Sequence, residues 1–214
     1  MKKIVLLGDS IRMGYDKYVK EAFDGVAEVY YPLDNCRFAV NVLRFAHEWK
    51  KTGEWPDDID LVHWNVGLWD AIEFFRDGPL TPIEYYEQYI GRVYKRLKLI
   101  FPNAKFVFAT STSVLESRNS INICRSNARI EKYNEAAIRA LAGTDTVIND
   151  LYTLSKSFPE EYHSDGVHYR TMEGTAAIGG KVISVLCREL GIEASEVNIE
   201  NFEPEKYSEA NIGY

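Results

Sequence analysis

The sequence predicts an α/β protein in three layers, a mainly parallel five-stranded sheet with helices on both faces. Two observations predict it. Short, nearly continuous apolar runs alternate with segments whose apolar residues recur at helical spacing, the mark of βαβ units whose strands are buried on both sides. The 214 residues, 46% of them hydrophobic, are enough for one domain with a full core, and no stretch reads as a linker.

Along the chain, "KIVLL" (3–7) is the first strand and runs into "GDSIRMGY" (8–15). "VAEVYY" (26–31) is the second, and Phe38, Val42, Phe45 and Trp49 then form one helical stripe facing the sheet. "IDLVHW" (59–64) is the third strand, and Tyr86, Ile90, Val93, Leu97 and Ile100 mark a helix that "FPN" (101–103) ends. "KFVFAT" (105–110) is the fourth, followed by a stripe of Ile130, Tyr133, Ala137 and Leu141 that "AGTD" (142–145) ends. "DTVIN" (145–149) is the fifth, and Ala176, Ile183, Cys187 and Leu190 make the last helical stripe. Residues 3–190 are the expected core of a single domain spanning 1–214, with an acidic, aperiodic extension over 195–214 lying on the surface. In an open sheet of this kind ligands bind beyond the carboxyl ends of the strands, where the strand order reverses. A 2-1-3-4-5 order brings together Ser10, Asn35 to Arg37, and Asn65, which follow the first three strands.

Charge and cysteine usage narrow the function. The net charge of −7 provides no basic footprint for nucleic acid and no polybasic patch for a membrane, and favours a small neutral or cationic substrate over a polyanion. The apolar run in "MKKIVLLGDS" is only four residues long and no small-residue cleavage site follows it, so a cytoplasmic protein is expected. Cys36, Cys124 and Cys187 are widely spaced and form no CxxC; reduced thiols, no metal site and no cofactor are expected.

A serine hydroxyl attacks only when a base takes its proton, so Ser10 needs a histidine, a group that orients it, and donors for an oxyanion. The histidines are His47, His63, His163 and His168. "DGVH" sets Asp165 three residues before His168, within reach of the imidazole Nδ1, leaving Nε2 for Ser10. His163 remains the competing base, and a turn or helix-cap role remains the competing reading of Ser10. Asp9 reads as structural, its carboxylate accepting from loop N–H groups.

With "GDSIRMGY", "HWNVGLWD" (63–70) and "DGVHY" (165–169) in that order, and with "FATSTSV", "RIEKYNEAAIRAL" and "VINDLY" between the last two, the chain resembles the SGNH or GDSL-type hydrolases. The likeness covers about residues 3–190 and points to a bacterial branch acting on acylated carbohydrates and other small esters. It implies a flavodoxin-like 2-1-3-4-5 strand order, with Ser10 as nucleophile, His168 as general base and then acid, and Asp165 as its orienter. It also implies an oxyanion hole made by the Ser10 N–H, a backbone N–H after the second strand, and the Asn65 amide. "LDNCRFAV" departs from the family by lacking the glycine of the second block. Cys36 aligns there, and it serves as donor if its φ is negative. A buried filler is the preferred role for its thiol.

Arg12, Arg37, Trp69, Asp70 and Tyr169 flank these blocks and are candidate substrate contacts, Trp69 as a stacking platform for a sugar ring; loop packing is the competing reading. "RNSINICR" (118–125) is either a rim of the site or an oligomer contact. The expected function is a serine esterase removing short acyl groups, acetyl first, from a small carbohydrate ester. A longer-chain thioesterase or lysophospholipase-like acylhydrolase and a catalytically silent glycan-binding domain are the alternatives. The expected partner is therefore a small acyl ester, with self-association into a homo-oligomer left open. FMN binding is disfavoured, because "GDSIRMGY" is a poor phosphate cradle.

Overall fold

Burial on both sides of one sheet organises the chain, as seen in a computed structural model that describes residues 1–120 and 122–199. The elements are β1 (Lys2–Leu7), α1 (Ser10–Ala22), β2 (Ala27–Tyr30), α2 (Ala39–Thr52), β3 (Leu61–Trp64), β4 (Glu73–Phe74) and α3 (Ile83–Ile100). They continue with β5 (Lys105–Ala109), β6 (Ile123–Cys124), α4 (Asn127–Leu141), β7 (Thr146–Asn149), α5 (Leu151–Lys156) and α6 (Met172–Leu190). The main sheet is parallel throughout, in the order β2-β1-β3-β5-β7, which is the expected 2-1-3-4-5 arrangement of its five strands.

Alternate residues of each strand feed two cores. Val5, Leu7, Val62, Trp64, Phe106 and Phe108 pack under α2, α3 and α4, while Ile4, Leu6, Leu61, Val107 and Ala109 pack under α1 and α6. Because both faces are covered, the strands read as apolar runs rather than as alternating patterns. They are one or two residues shorter than the runs themselves at several ends, since apolar character continues past the last ladder bond.

Three parts of the structure depart from the sequence expectations. Helix α1 was not anticipated, although Ile11, Tyr15, Val19 and Ala22 keep a helical spacing and are buried. The buried line of α6 is Ile178, Val182, Val185 and Leu186, whereas Ile183, Cys187 and Leu190 form its half-buried flank. The shift follows from Gly179, where a Cβ would stand 2.6 Å from the Tyr18 ring, so that α1 and α6 meet closely over a glycine rather than an apolar side chain. Third, the 65–82 and 111–126 connections are not plain loops: β4 and β6 pair antiparallel into a two-stranded unit at the carboxyl end of the sheet. The extension is described only as far as 199, and there Ser195 donates its N–H to Ala22 O at 2.8 Å; the rest of the expected 195–214 segment lies outside the described residues.

Candidate active site

Three sheet connections converge on Ser10. It opens α1 immediately after β1, with Asp9 as N-cap accepting from Ile11 N at 3.0 Å. A first-turn N–H has no partner within its helix, and the helix dipole adds positive potential there. His168 Nε2 lies 2.8 Å from Ser10 Oγ, and His168 Nδ1 lies 2.7 Å from Asp165 Oδ2. The other Asp165 oxygen accepts the backbone N–H groups of Val167 at 2.6 Å and His168 at 2.8 Å. Burial raises the Asp165 pKa, but the bonds and charge of His168 outweigh it and hold the carboxyl well below its usual range. The sequence-expected trio of Ser10, Asp165 and His168 is thus assembled as one hydrogen-bonded chain. His163, the competing base, instead packs against Tyr169 with ring centroids 4.2 Å apart and the rings tilted by 42°. His63 is buried within β3, its Nε2 3.1 Å from Asn149 Nδ2.

Asn65 follows β3 and is buried against the glycine of "GDS". A Cβ on Gly8 would sit 2.1 Å from Asn65 Oδ1, so only glycine permits this approach. Asn65 Nδ2 donates to Asp9 Oδ1 at 3.2 Å. One Asp9 oxygen therefore caps α1 and aims the Asn65 amide at the same time, and the second amide hydrogen is left for another acceptor. Burial pushes the Asp9 pKa up, against the lowering effect of the Ile11 and Asn65 bonds. Asp9 thus plays the structural part expected of it, accepting a backbone N–H at the start of α1, and with Gly8 it also fixes where the Asn65 amide lies.

The loop after β2 differs from expectation. The Cys36 N–H, expected to face the oxyanion, donates to Gly8 O at 3.1 Å, and Cys36 O accepts from Asn41 Nδ2 at 3.2 Å. Cys36 is therefore a bridge between the loop and the end of β1. Burial pushes its thiol pKa up to about 11, which suits a neutral filler rather than a thiolate. The left-handed conformation falls one residue later, at Arg37 with φ 52°, and the Arg37 N–H donates to Asn35 Oδ1 at 2.8 Å.

The other flanking residues divide. Trp69 lines a cleft of about 400 Å³ that opens onto Ser10 and His168, with Ile72 and Phe74 beside it and residues of the 118–125 loop opposite. That loop is a rim of the cleft. Arg12 is fully buried instead and pairs with Asp16. Its guanidinium also donates to Pro32 O at 3.0 Å and Asp34 O at 2.6 Å, tying the loop after β2 to α1. Tyr169 is buried, its hydroxyl donating to Ser113 O at 2.7 Å. Asp70 is buried too, accepting from the first N–H of α2 at Ala39 at 3.1 Å, and its pKa is raised to about 7 by burial. Neither Arg12, Arg37 nor Tyr169 is among the side chains lining the cleft; the spacing that brought them near the motifs says nothing about which way each points.

Neither a family model nor a curated protein sequence matches the chain. Solved structures do. A lipase/acylhydrolase from Enterococcus faecalis superposes with a TM-score of 0.67 at 19% identity, over 92% of this chain and 100% of its own. An acetyl xylan esterase, AlAXEase, gives 0.66 at 16% identity, over 86% of this chain and 99% of its own. A GDSL-like lipase from Bacteroides thetaiotaomicron gives 0.63 at 17% identity, over 87% and 88%. The chain is therefore built on the three-layer fold of the GDSL-type, or SGNH, hydrolases.

Proposed function

We propose that the protein is a serine carboxylester hydrolase that passes its acyl group through Ser10. The observation that carries this reading is the chain from Asp165 through His168 to Ser10, with both links under 3 Å. In the proposed reaction His168 Nε2 takes the Ser10 proton as Oγ attacks the ester carbonyl. Asp165 holds the imidazole in the tautomer that leaves Nε2 free to accept and stabilises the imidazolium that forms. The Ser10 N–H and the second amide hydrogen of Asn65 receive the developing oxyanion, an Asn donor bringing no charge of its own. The alcohol leaves with the proton from His168, and a water activated by the same nitrogen then releases the acyl group and restores Ser10.

The finer reading is a short acyl group, acetyl first, on a small carbohydrate. It is supported by a cleft of about 400 Å³ whose apolar wall is limited to Trp69, Ile72, Phe74, Ile123 and Val167, with Asn119 and Ser120 as polar contacts, and by the acetyl xylan esterase among the similar folds. The cytoplasmic location expected from the sequence stays part of this proposal; among the described residues no helix is long and apolar enough to cross a membrane. A silent binding domain is the second reading, favoured by the Cys36 N–H being committed to Gly8 O. Fluorophosphonate labelling with and without Ser10→Ala, alongside hydrolysis of p-nitrophenyl acetate and octanoate, separates them. Labelling confined to the protein with Ser10 and a preference for acetate are expected. No adduct refutes the hydrolase, and a strong octanoate preference refutes the short-acyl reading.

A further inference from the structure

Trp69 reaches the cleft from a turn that its neighbour anchors. Ala71 N donates to Gly67 O at 2.8 Å, closing residues 67–71 into a single α-turn. Consecutive residues on such a turn point about 100° apart, and here Trp69 lines the cleft while Asp70 is fully buried. Asp70 accepts Ala39 N through one carboxyl oxygen at 3.1 Å and through the other at 3.4 Å, and its backbone O accepts Thr81 N at 3.0 Å. Ala39 is the first residue of α2, and Phe38 before it makes no side-chain cap. An N–H at that position has no partner within its own helix, so Asp70 caps α2 from a different connection of the sheet.

A cap on Phe38's own side would serve α2 equally well; a cap reaching over from the Trp69 turn also fixes that turn against the loop after β2, whose Cys36 N–H is bonded to Gly8 O at 3.1 Å. The start of the turn is held from the other direction. Tyr86 OH donates to Val66 O at 2.9 Å, and a Cβ on Gly67 would stand 2.4 Å from Ser111 Oγ, in the segment that follows β5. The titratable groups that Asp70 faces are Asp9, Tyr86 and Tyr133, so its partner is a helix end rather than a cation. Burial raises its pKa to about 7. What the site takes from this carboxyl is an acceptor oxygen, which an amide of the same shape also supplies.

Building on the hydrolase reading, we propose that Asp70 is a positioning residue for the substrate: by capping α2 from the Trp69 turn it holds that indole in the wall of the cleft, and so sets affinity and the choice among esters rather than the chemical step. Asp70 itself touches no ester, since it is buried beneath the turn and is not among the residues lining the cleft.

The test measures kcat and KM separately for phenyl acetate, whose ring can lie on the wall of the cleft, and for ethyl acetate, which has none. Asp70→Ala and Trp69→Ala are each expected to raise KM for phenyl acetate by about fivefold or more, with kcat kept within about threefold and ethyl acetate little affected. Together they should lose no more than about twofold beyond the worse single variant, because both act through one indole. Asp70→Asn should bring KM back to within about twofold of the parent, its Oδ1 still accepting the Ala39 N–H. Where Asp70→Ala does not fold, Ala39→Pro removes the donor instead. Proline suits the first helical position and the extended residue before it, Phe38 at φ −101° and ψ 166°, and the same rise in KM is expected. Losses that add, a KM unmoved by Trp69→Ala or by breaking the tie, a loss confined to kcat, or an Asp70→Asn as impaired as Asp70→Ala overturns the inference. Failure of the unaltered protein to turn over either ester would instead strike at the hydrolase reading beneath it.

Discussion

Gly8→Ala tests whether the end of β1 is shaped for the oxyanion. A Cβ there would stand 2.1 Å from Asn65 Oδ1, 2.7 Å from Arg12 Cβ and 3.0 Å from Asn65 Cγ. Cβ atoms do not approach closer than 3.0 Å, so the Asn65 amide must retreat by about 0.9 Å, as the buried Arg12 Cβ belongs to a helix and yields less. The bond from Asn65 Nδ2 to Asp9 Oδ1, at 3.2 Å, has little room to stretch. A displacement of about 1 Å costs on the order of 10²-fold. Outright loss of one preorganised donor costs about 10²–10³ in kcat, or about 3 to 4 kcal/mol. The expected result is a folded variant whose kcat on p-nitrophenyl acetate falls by about 10²-fold or more. Far-UV circular dichroism and the melting temperature check the fold. Because Gly8 acts through Asn65, the combined Gly8→Ala, Asn65→Ala variant should lose little more than the worse single variant. A folded Gly8→Ala with kcat within about threefold of the parent, or losses that add in the double variant, would refute the reasoning.

Two further outcomes follow from buried charge. Arg12→Ala leaves Asp16 buried without its cation and frees the carbonyls of Pro32 and Asp34; urea unfolding should show a loss of about 3 to 5 kcal/mol, and a loss under about 1 would contradict the pairing. Asp70, raised to about 7 by burial, keeps a proton in the folded chain that the unfolded chain releases above its ordinary value. Its contribution to stability therefore falls as pH rises between about 4 and 7, by up to about 4 kcal/mol. Asp70→Asn lacks this penalty, so its stability relative to the parent should grow across that window; parallel pH profiles would count against the raised value.

The fold and the triad were legible because each rests on a local pattern. Strands buried on both faces show as apolar runs, and the convergence of Ser10 and Asn65 follows from the 2-1-3-4-5 order. "DGVH" is a turn in which three residues fix one carboxylate against one imidazole. What was not legible depends on direction across the fold. Cys36 aligned where a donor was wanted, yet the register between its loop and β1 turns its N–H to Gly8 O. Arg12 lies two residues from the nucleophile, but on α1 its side chain points back toward the loop after β2. Tyr169 follows the base directly and points into the core at Ser113. The 118–125 loop, whose place the sequence leaves open between a rim of the site and an oligomer contact, lines the same cleft as Trp69, with Ile123 and Cys124 paired to Phe74 and Glu73.

This division has a mechanical consequence. The groups proposed for chemistry stand on elements whose backbone is fixed: Ser10 at the start of α1, Asn65 at the end of β3, and His168 on a turn bonded to Asp165 through two N–H groups. The side chains proposed to form the apolar wall of the cleft, Trp69, Ile72, Phe74 and Ile123, stand on or beside the β4–β6 unit, whose strands are two residues each and whose Ile123 meets solvent. A site on regular elements holds geometry to a fraction of an ångström, while a loop-borne wall tolerates change. Substitutions at Gly8, Asp9 or Asn65 should therefore act on kcat for every ester alike. Substitutions at Trp69, Ile72 or Phe74 should act on KM and on the choice among esters, so that selectivity is alterable on this scaffold without rebuilding its catalytic end.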